Sequence, residues 1–137
     1  MKIVSACLAG IDCAYDGKSR RCEKVVEIVK SGKAIPVCPE QLGGLPTPRI
    51  PAEIQNGKVN NKESEDVTEN FQKGAEEALK IIQMINCKEA ILKSNSPSCG
   101  KGTIYDGTFN HVKVPGNGIF ADMCLKNGIN VKTENEI

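Results

Sequence analysis

Cysteine is the residue type that stands out in this 137-residue chain: seven thiols, at Cys7, Cys13, Cys22, Cys38, Cys87, Cys99 and Cys124, against a single histidine, His111. No two cysteines are separated by two residues, which removes the thioredoxin-type redox pair, the zinc ribbon and the bacterial ferredoxin run. A metal here has to be gripped by cysteines from separate segments brought together by the fold. All-thiolate ligation suits zinc or an iron–sulfur cluster, and ligands spread over three loops favour the cluster over a zinc knuckle. Glu40 stands beside Cys38, in Cys38-Pro39-Glu40, and Ser96 and Ser98 stand beside Cys99. A carboxylate and two hydroxyls next to a metal can activate water and hold a substrate oxygen.

Other residues could shape such a site. Tyr15 and Tyr105 are the only tyrosines, each followed by Asp-Gly, and with no Trp present they are the expected surfaces for stacking a planar ring. Arg49, in Pro46-Thr47-Pro48-Arg49, could bind a carboxylate or phosphate, the alternative being a loop arginine paired with a surface acid.

The elements that must position these groups alternate. Ile3 to Ala6 reads as a strand and Leu8 to Lys18 as a loop; from Ser19 the apolar residues Cys22, Val25, Val26 and Val29 share a helical face up to Gly32. Ala34 to Cys38 reads as a strand that Pro36 either places near an edge or gives a bulge, and the Pro- and Gly-rich stretch Pro39 to Ala52 as irregular site wall. Asn56-Gly57 predicts a hairpin within 53–60, and the period of Val67, Phe71, Ala75, Ala78, Ile82 and Ile85 a helix over 66–86. Glu89 to Lys93 is a third strand, followed by a long loop to Gly116, a helix over 117–126 capped by Asn117, and a fourth strand over 129–133. The expected fold is a single α/β domain spanning 1–137: a small Rossmann-like three-layer fold whose four-stranded, mainly parallel sheet has helices on both faces. In such sheets ligands bind beyond the carboxyl ends of the strands, which is where Cys7, Cys38 and Cys99 fall, with Cys13 within reach. Cys22, Cys87 and Cys124 fall on helices or at their ends, where burial in the core is expected.

The formal charge of +1 provides no general field for nucleic acid or lipid. The N-terminus turns polar by Asp12, short of a signal-peptide core, and no apolar run has membrane length; a soluble cytoplasmic protein is expected.

Several segments carry a resemblance. Val4-Ser5-Ala6-Cys7-Leu8-Ala9-Gly10, Cys13-Ala14-Tyr15-Asp16-Gly17, Val37-Cys38-Pro39-Glu40, Gly43-Gly44-Leu45-Pro46-Thr47-Pro48-Arg49 and Ser96-Pro97-Ser98-Cys99-Gly100 resemble a bacterial family, long a domain of unknown function, that includes the thiouracil desulfidases. The likeness continues through Ile104-Tyr105-Asp106-Gly107-Thr108-Phe109 and Val114-Pro115-Gly116-Asn117-Gly118, spanning roughly Ile3 to Ile129. It implies a [4Fe–4S] cluster on three of the four cysteines Cys7, Cys13, Cys38 and Cys99, one iron staying open to sulfur. The implied reaction is removal of sulfur from thiouracil or a thiolated nucleoside, C=S becoming C=O without net redox change. Glu40 would be the general base or proton shuttle and Ser96 would position substrate or water, while Tyr15, Ser98, Tyr105 and Arg49 would contact substrate. Strand-end position favours Cys7, Cys38 and Cys99 as ligands over Cys13. Ala14 and Asn95 stand where many relatives carry arginine, removing positive charge near the site. Two other readings compete: a metal-free persulfide carrier using Cys13 or Cys99, and a binding module for sulfur-modified RNA, against which the near-zero charge counts.

Overall fold

The computed structural model describes all 137 residues. Strand β1 (Lys2–Ser5) runs into a 3-10 turn (Ala6–Ala9), and α1 (Glu23–Lys30) leads back to β2 (Ala34–Val37), which is followed at once by α2 (Pro39–Leu42). A hairpin of β3 (Ala52–Gln55) and β4 (Lys58–Asn61) precedes the long α3 (Thr68–Met84) and β5 (Glu89–Leu92). A second hairpin, β6 (Thr103–Tyr105) and β7 (Lys113–Pro115), precedes α4 (Ile119–Lys126), β8 (Asn130–Thr133) and a terminal 3-10 turn (Glu134–Glu136).

The main sheet is parallel throughout, in the order β2-β1-β5-β8. Ile3 lies opposite Ile35 and Ala90, and Val4 opposite Pro36 and Ile91. Pro36 therefore sits on an edge strand, where the ladder runs along one side only. Successive residues of a strand face opposite layers, and the core divides accordingly. Ile3, Ala90, Leu92 and Val131 pack with Ala75, Ala78 and Ile82 of α3 and Phe120 and Cys124 of α4. Val4 and Ile91 pack with Leu8 and with Val25 of α1. Helices thus cover both faces, as the alternation predicts. Cys87 and Cys124 are buried in the larger cluster, and Cys22 is half-buried against the smaller one. No helix is long and apolar enough to cross a membrane.

The order has a topological consequence. The chain leaves β1 toward β2 on one side and returns to β5 on the other, so the loops after β1 and β5 diverge and open a crevice at their carboxyl ends.

Four local expectations change. The first helix begins at Glu23 rather than near Ser19, because the Arg20 and Cys22 amides are spent on the Cys7 and Leu8 carbonyls, holding that segment against the first turn. The stretch after Cys38, expected to be irregular, opens with the four-residue α2, in which Pro39 occupies the first turn, where its missing donor costs nothing. The long loop before Gly116 contains the β6–β7 hairpin. Asn117 does not cap α4: its side-chain oxygen accepts from the Gly102 amide at 2.7 Å, and Gly118 is the capping residue without a side-chain bond.

Gly74, inside α3, is forced by packing. A Cβ there would run into the Pro39 carbonyl oxygen and stand 3.1 Å from the Gly43 nitrogen, while the Asn70 amide donates to the Gly43 carbonyl at 2.9 Å. Backbone meets backbone at this crossing, and the short helix so held is the one that carries Glu40.

Candidate active site

The crevice at the carboxyl edge is a cavity of about 460 Å³, lined by Cys7, Cys13, Cys38 and Cys99 and also by Glu40, Ser96, Ser98, Arg49, Tyr15 and Tyr105. Every residue singled out for chemistry in the sequence reaches this one cavity. Cys7 lies in the turn after β1, Cys38 directly after β2, and Cys99 in the loop after β5. Cys13 comes from the loop after the first turn, and its carbonyl oxygen lies 3.8 Å from the Cys38 sulfur.

The loop bearing Cys99 is built by saturating its polar groups. Ser96 Oγ accepts from the amides of Ser98 (3.2 Å) and Cys99 (3.1 Å). The first amides of α4, orphaned in any helix, donate into the same loop: Ile119 to the Pro97 carbonyl at 2.9 Å, Phe120 and Ala121 to the Ser98 carbonyl at 2.8 and 3.1 Å. Those loop carbonyls do the work expected of Asn117. On the other side Glu134 accepts from the Ser94 amide and hydroxyl, each at 2.8 Å, and pairs with Lys93 at 2.8 Å.

Donor arithmetic fixes the direction of the polar chain beside the thiols. Both lone pairs of Ser96 Oγ are taken by amides, so its proton is free to point to Ser98 Oγ, 3.0 Å away. Ser98 Oγ, accepting there, donates its own proton to Glu40 Oε2 at 2.8 Å. Glu40 Oε1 accepts from Arg49 Nε at 2.9 Å, and the two side chains are only 14% and 6% exposed. Arg49 also donates to the Cys13 carbonyl (2.8 Å) and to Thr47 Oγ1 (3.0 Å). The guanidinium expected to meet a substrate anion thus has its nitrogens engaged within the protein, tying the Cys13 loop to Glu40.

Burial raises most of the thiols. It pushes Cys7 up to about 11, aided by the neighbouring Cys38 and opposed by the charges of Lys93 and Arg20. Burial raises Cys99 further still, against the polar contacts of the Ser5 and Ser98 hydroxyls. Cys13 is raised by its hydrogen bond to Cys38 and by burial, and Cys38 is lowered to about 6 by that same bond despite burial, with help from the Gln41 amide and Arg49. Of the four site thiols, Cys38 is the one whose surroundings favour the thiolate form.

The donor set fits a cluster. Four thiols from the loops after three strands line this one cavity, and a cubane asks each thiolate to meet a different iron. The matching observations decide the family. A model of the 2-thiouracil desulfurase family matches residues 3–136. The chain belongs to that family. A relative from Bacillus subtilis (strain 168), described as uncharacterized protein YbbK, is 44% identical over 147 residues, an alignment covering 100% of this chain and 97% of that protein. A solved structure described as the [4Fe-4S]-dependent thiouracil desulfidase TudS (DUF523Vcz) superposes with a TM-score of 0.94 at 42% identity, covering 98% of this chain and 91% of its own.

Sequence reading missed part of the site. Arg20, Glu53, Lys62, Lys93, Phe109 and His111 also line the cavity. Lys93, the last residue of the expected third strand, could have been found from its place at a strand end. Phe109 and His111 carried no such signal: their backbones are left-handed, with φ +60° and +59°, in a loop whose path depends on the other hairpin.

Proposed function

We propose that this chain is an iron–sulfur-dependent desulfidase that converts the C=S group of a thiolated pyrimidine, as thiouracil or a thiolated nucleoside, into C=O. What carries this reading is the meeting, in one cavity of a member of the 2-thiouracil desulfurase family, of four thiols with a carboxylate held from both sides. Cys7, Cys38 and Cys99 would hold the [4Fe–4S] cluster, each coming from the loop beyond the carboxyl end of a different strand, with Cys13 as the neighbouring fourth thiol, its carbonyl against the Cys38 sulfur. When bound, the cluster supplies a Lewis-acidic iron for the thiocarbonyl sulfur.

The protein's own part is proton handling. Glu40 takes one proton from the attacking water as its oxygen bonds to the thiocarbonyl carbon. As the C–S bond breaks, the remaining proton of the added hydroxyl passes to sulfur, which leaves as hydrosulfide, and Glu40 gives up the first proton to solvent or to the departing sulfide. Water and thiocarbonyl give carbonyl and hydrogen sulfide, with no electron gained or lost. Ser98, bonded directly to Glu40, keeps the carboxylate aimed, and Ser96 fixes Ser98. Arg49 acts as a positioning residue for Glu40 and not as an anchor for substrate.

The test is anaerobic cluster reconstitution followed by incubation with 2-thiouracil and 4-thiouracil, reading the loss of thiocarbonyl absorbance. Turnover by brown, iron-loaded protein is expected. Glu40→Gln should keep its iron and lose turnover, and alanine at Cys7, Cys38 or Cys99, but not at Cys13, should lose iron. Colourless protein that takes up no iron and releases no sulfide overturns the reading, and a persulfide on Cys13 in that protein would indicate a sulfur carrier.

A further inference from the structure

The outer wall of the cavity is made by the two hairpins, and they are stitched together by one carboxylate. Glu53 Oε1, from β3, accepts from the amides of Gly107 at 3.0 Å and Phe109 at 3.1 Å, both in the loop between β6 and β7. Gly107 lies so close to β3 that a Cβ on it would stand 2.5 Å from Gln55 Cβ and 3.0 Å from the Ile54 carbonyl oxygen. Asp106 Oδ1 braces the same turn through the Thr108 amide and hydroxyl, at 2.9 and 2.7 Å. The product of this bracing is Phe109 with φ +60°, a conformation that phenylalanine avoids unless its surroundings impose it.

Besides the exposed imidazole of His111, the rings of Tyr15, Tyr105 and Phe109 line the cavity, and two of these three already carry a cation. The guanidinium of Arg20 sits 5.7 Å over the Tyr15 ring, which is itself 46% exposed, and Lys113 Nζ sits 5.9 Å over the Tyr105 ring. Phe109 has no cation on its ring and is half-buried at the cavity wall. A flat ring whose sulfur must reach the thiol end of the cavity needs one of its faces supported, and one ring–base stack strengthens binding about tenfold.

We propose that Phe109 is the surface on which the pyrimidine stacks and that Glu53 is the positioning residue that holds Phe109 there. The proposal rests on the desulfidase reading. It replaces the expectation that the two tyrosines provide the stacking surface.

The test uses the cluster-loaded full chain with 2-thiouracil as the probe, comparing Phe109→Ala, Glu53→Ala, Glu53→Gln and the double alanine variant by KM, kcat and calorimetric Kd. Phe109→Ala should raise KM and Kd about tenfold, the loss of one ring–base stack, with kcat little changed. Glu53→Ala should do the same. Glu53→Gln, which keeps an accepting oxygen, should stay near the unsubstituted protein, and the double variant should be no worse than Phe109→Ala, because both changes remove one stack. Amide hydrogen exchange at Gly107 and Phe109 should be faster in Glu53→Ala and restored in Glu53→Gln. An unchanged Kd in Phe109→Ala, multiplying effects in the double variant, or unaltered exchange in Glu53→Ala would each overturn the proposal. Absence of turnover with normal binding of 2-thiouracil would instead count against the desulfidase reading, and the Kd and exchange comparisons would still judge Phe109 and Glu53.

Discussion

At the scale of single residues, the site is governed by who donates to whom. Glu40 is a nearly buried carboxylate with a guanidinium on one oxygen and a hydroxyl on the other. Removing one member of such a pair leaves an uncompensated charge, so Arg49→Met is expected to lower stability by about 3 kcal/mol in urea unfolding of the cluster-free protein. Arg49→Lys, keeping the charge but not the fork, should fold nearly as well and turn over more slowly. Ser98→Ala interrupts the path from Ser96 to Glu40 and should lower kcat about a hundredfold while iron content stays at the level of the unsubstituted protein, the size expected when positioning for proton transfer is lost. The convergence of Cys7, Cys38 and Cys99 was legible in the sequence because each follows a recognisable strand. The partner of Arg49 was not, since an inner carboxylate and a substrate anion look alike to an arginine until the turn between residues 40 and 49 has closed. Phe109 lies in a segment that carries the family resemblance, yet its place in the cavity could not be read for a related reason: it is held by Glu53, more than fifty residues away.

At the scale of elements, α2 is the part whose position matters most for its size. It is four residues long and cannot hold itself, so its place comes from the crossing with α3 at Gly43 and Gly74. Glycine-to-alanine changes inside a helix ordinarily stabilise by about 0.5–1 kcal/mol. Gly74→Ala is expected to reverse that sign, lowering the Tm and reducing kcat together, because the methyl group displaces the Pro39 carbonyl and with it Glu40. A Tm that rises would show the crossing to be looser than it looks. The long elements were readable from period and punctuation: α3 from its apolar repeat, the β3–β4 hairpin from Asn56-Gly57, the edge position of β2 from Pro36. The short ones were not. The three-residue strands β6 and β7 are too brief for alternation to register, and the start of α4 is set by carbonyls of a distant loop, for which Asn117 was a plausible but mistaken local substitute.

At the scale of the whole molecule, the C-terminus closes the structure over the Cys99 loop through Glu134. Burial raises this carboxyl, but Lys93 and the Ser94 donors outweigh it and hold its pKa below the ordinary 4.5. The native state therefore favours the carboxylate: the contribution is complete above about pH 4.5 and is lost as the pH falls through the lower native value. Glu134→Gln should lower the Tm at pH 7, and the difference from the unsubstituted protein should shrink in acid below pH 4.5. A difference independent of pH would mean that packing, and not charge, ties the tail down.

The anchoring of that loop also fixes a chronology. All four site cysteines have been translated by residue 99, yet the amides of α4 and the carboxylate of Glu134 that hold the Ser94–Gly100 segment in shape are made only afterwards. A nascent chain halted before α4 would carry all four site thiols without the frame that spaces them, so a site shaped to take up iron is expected only once α4 and Glu134 have been made.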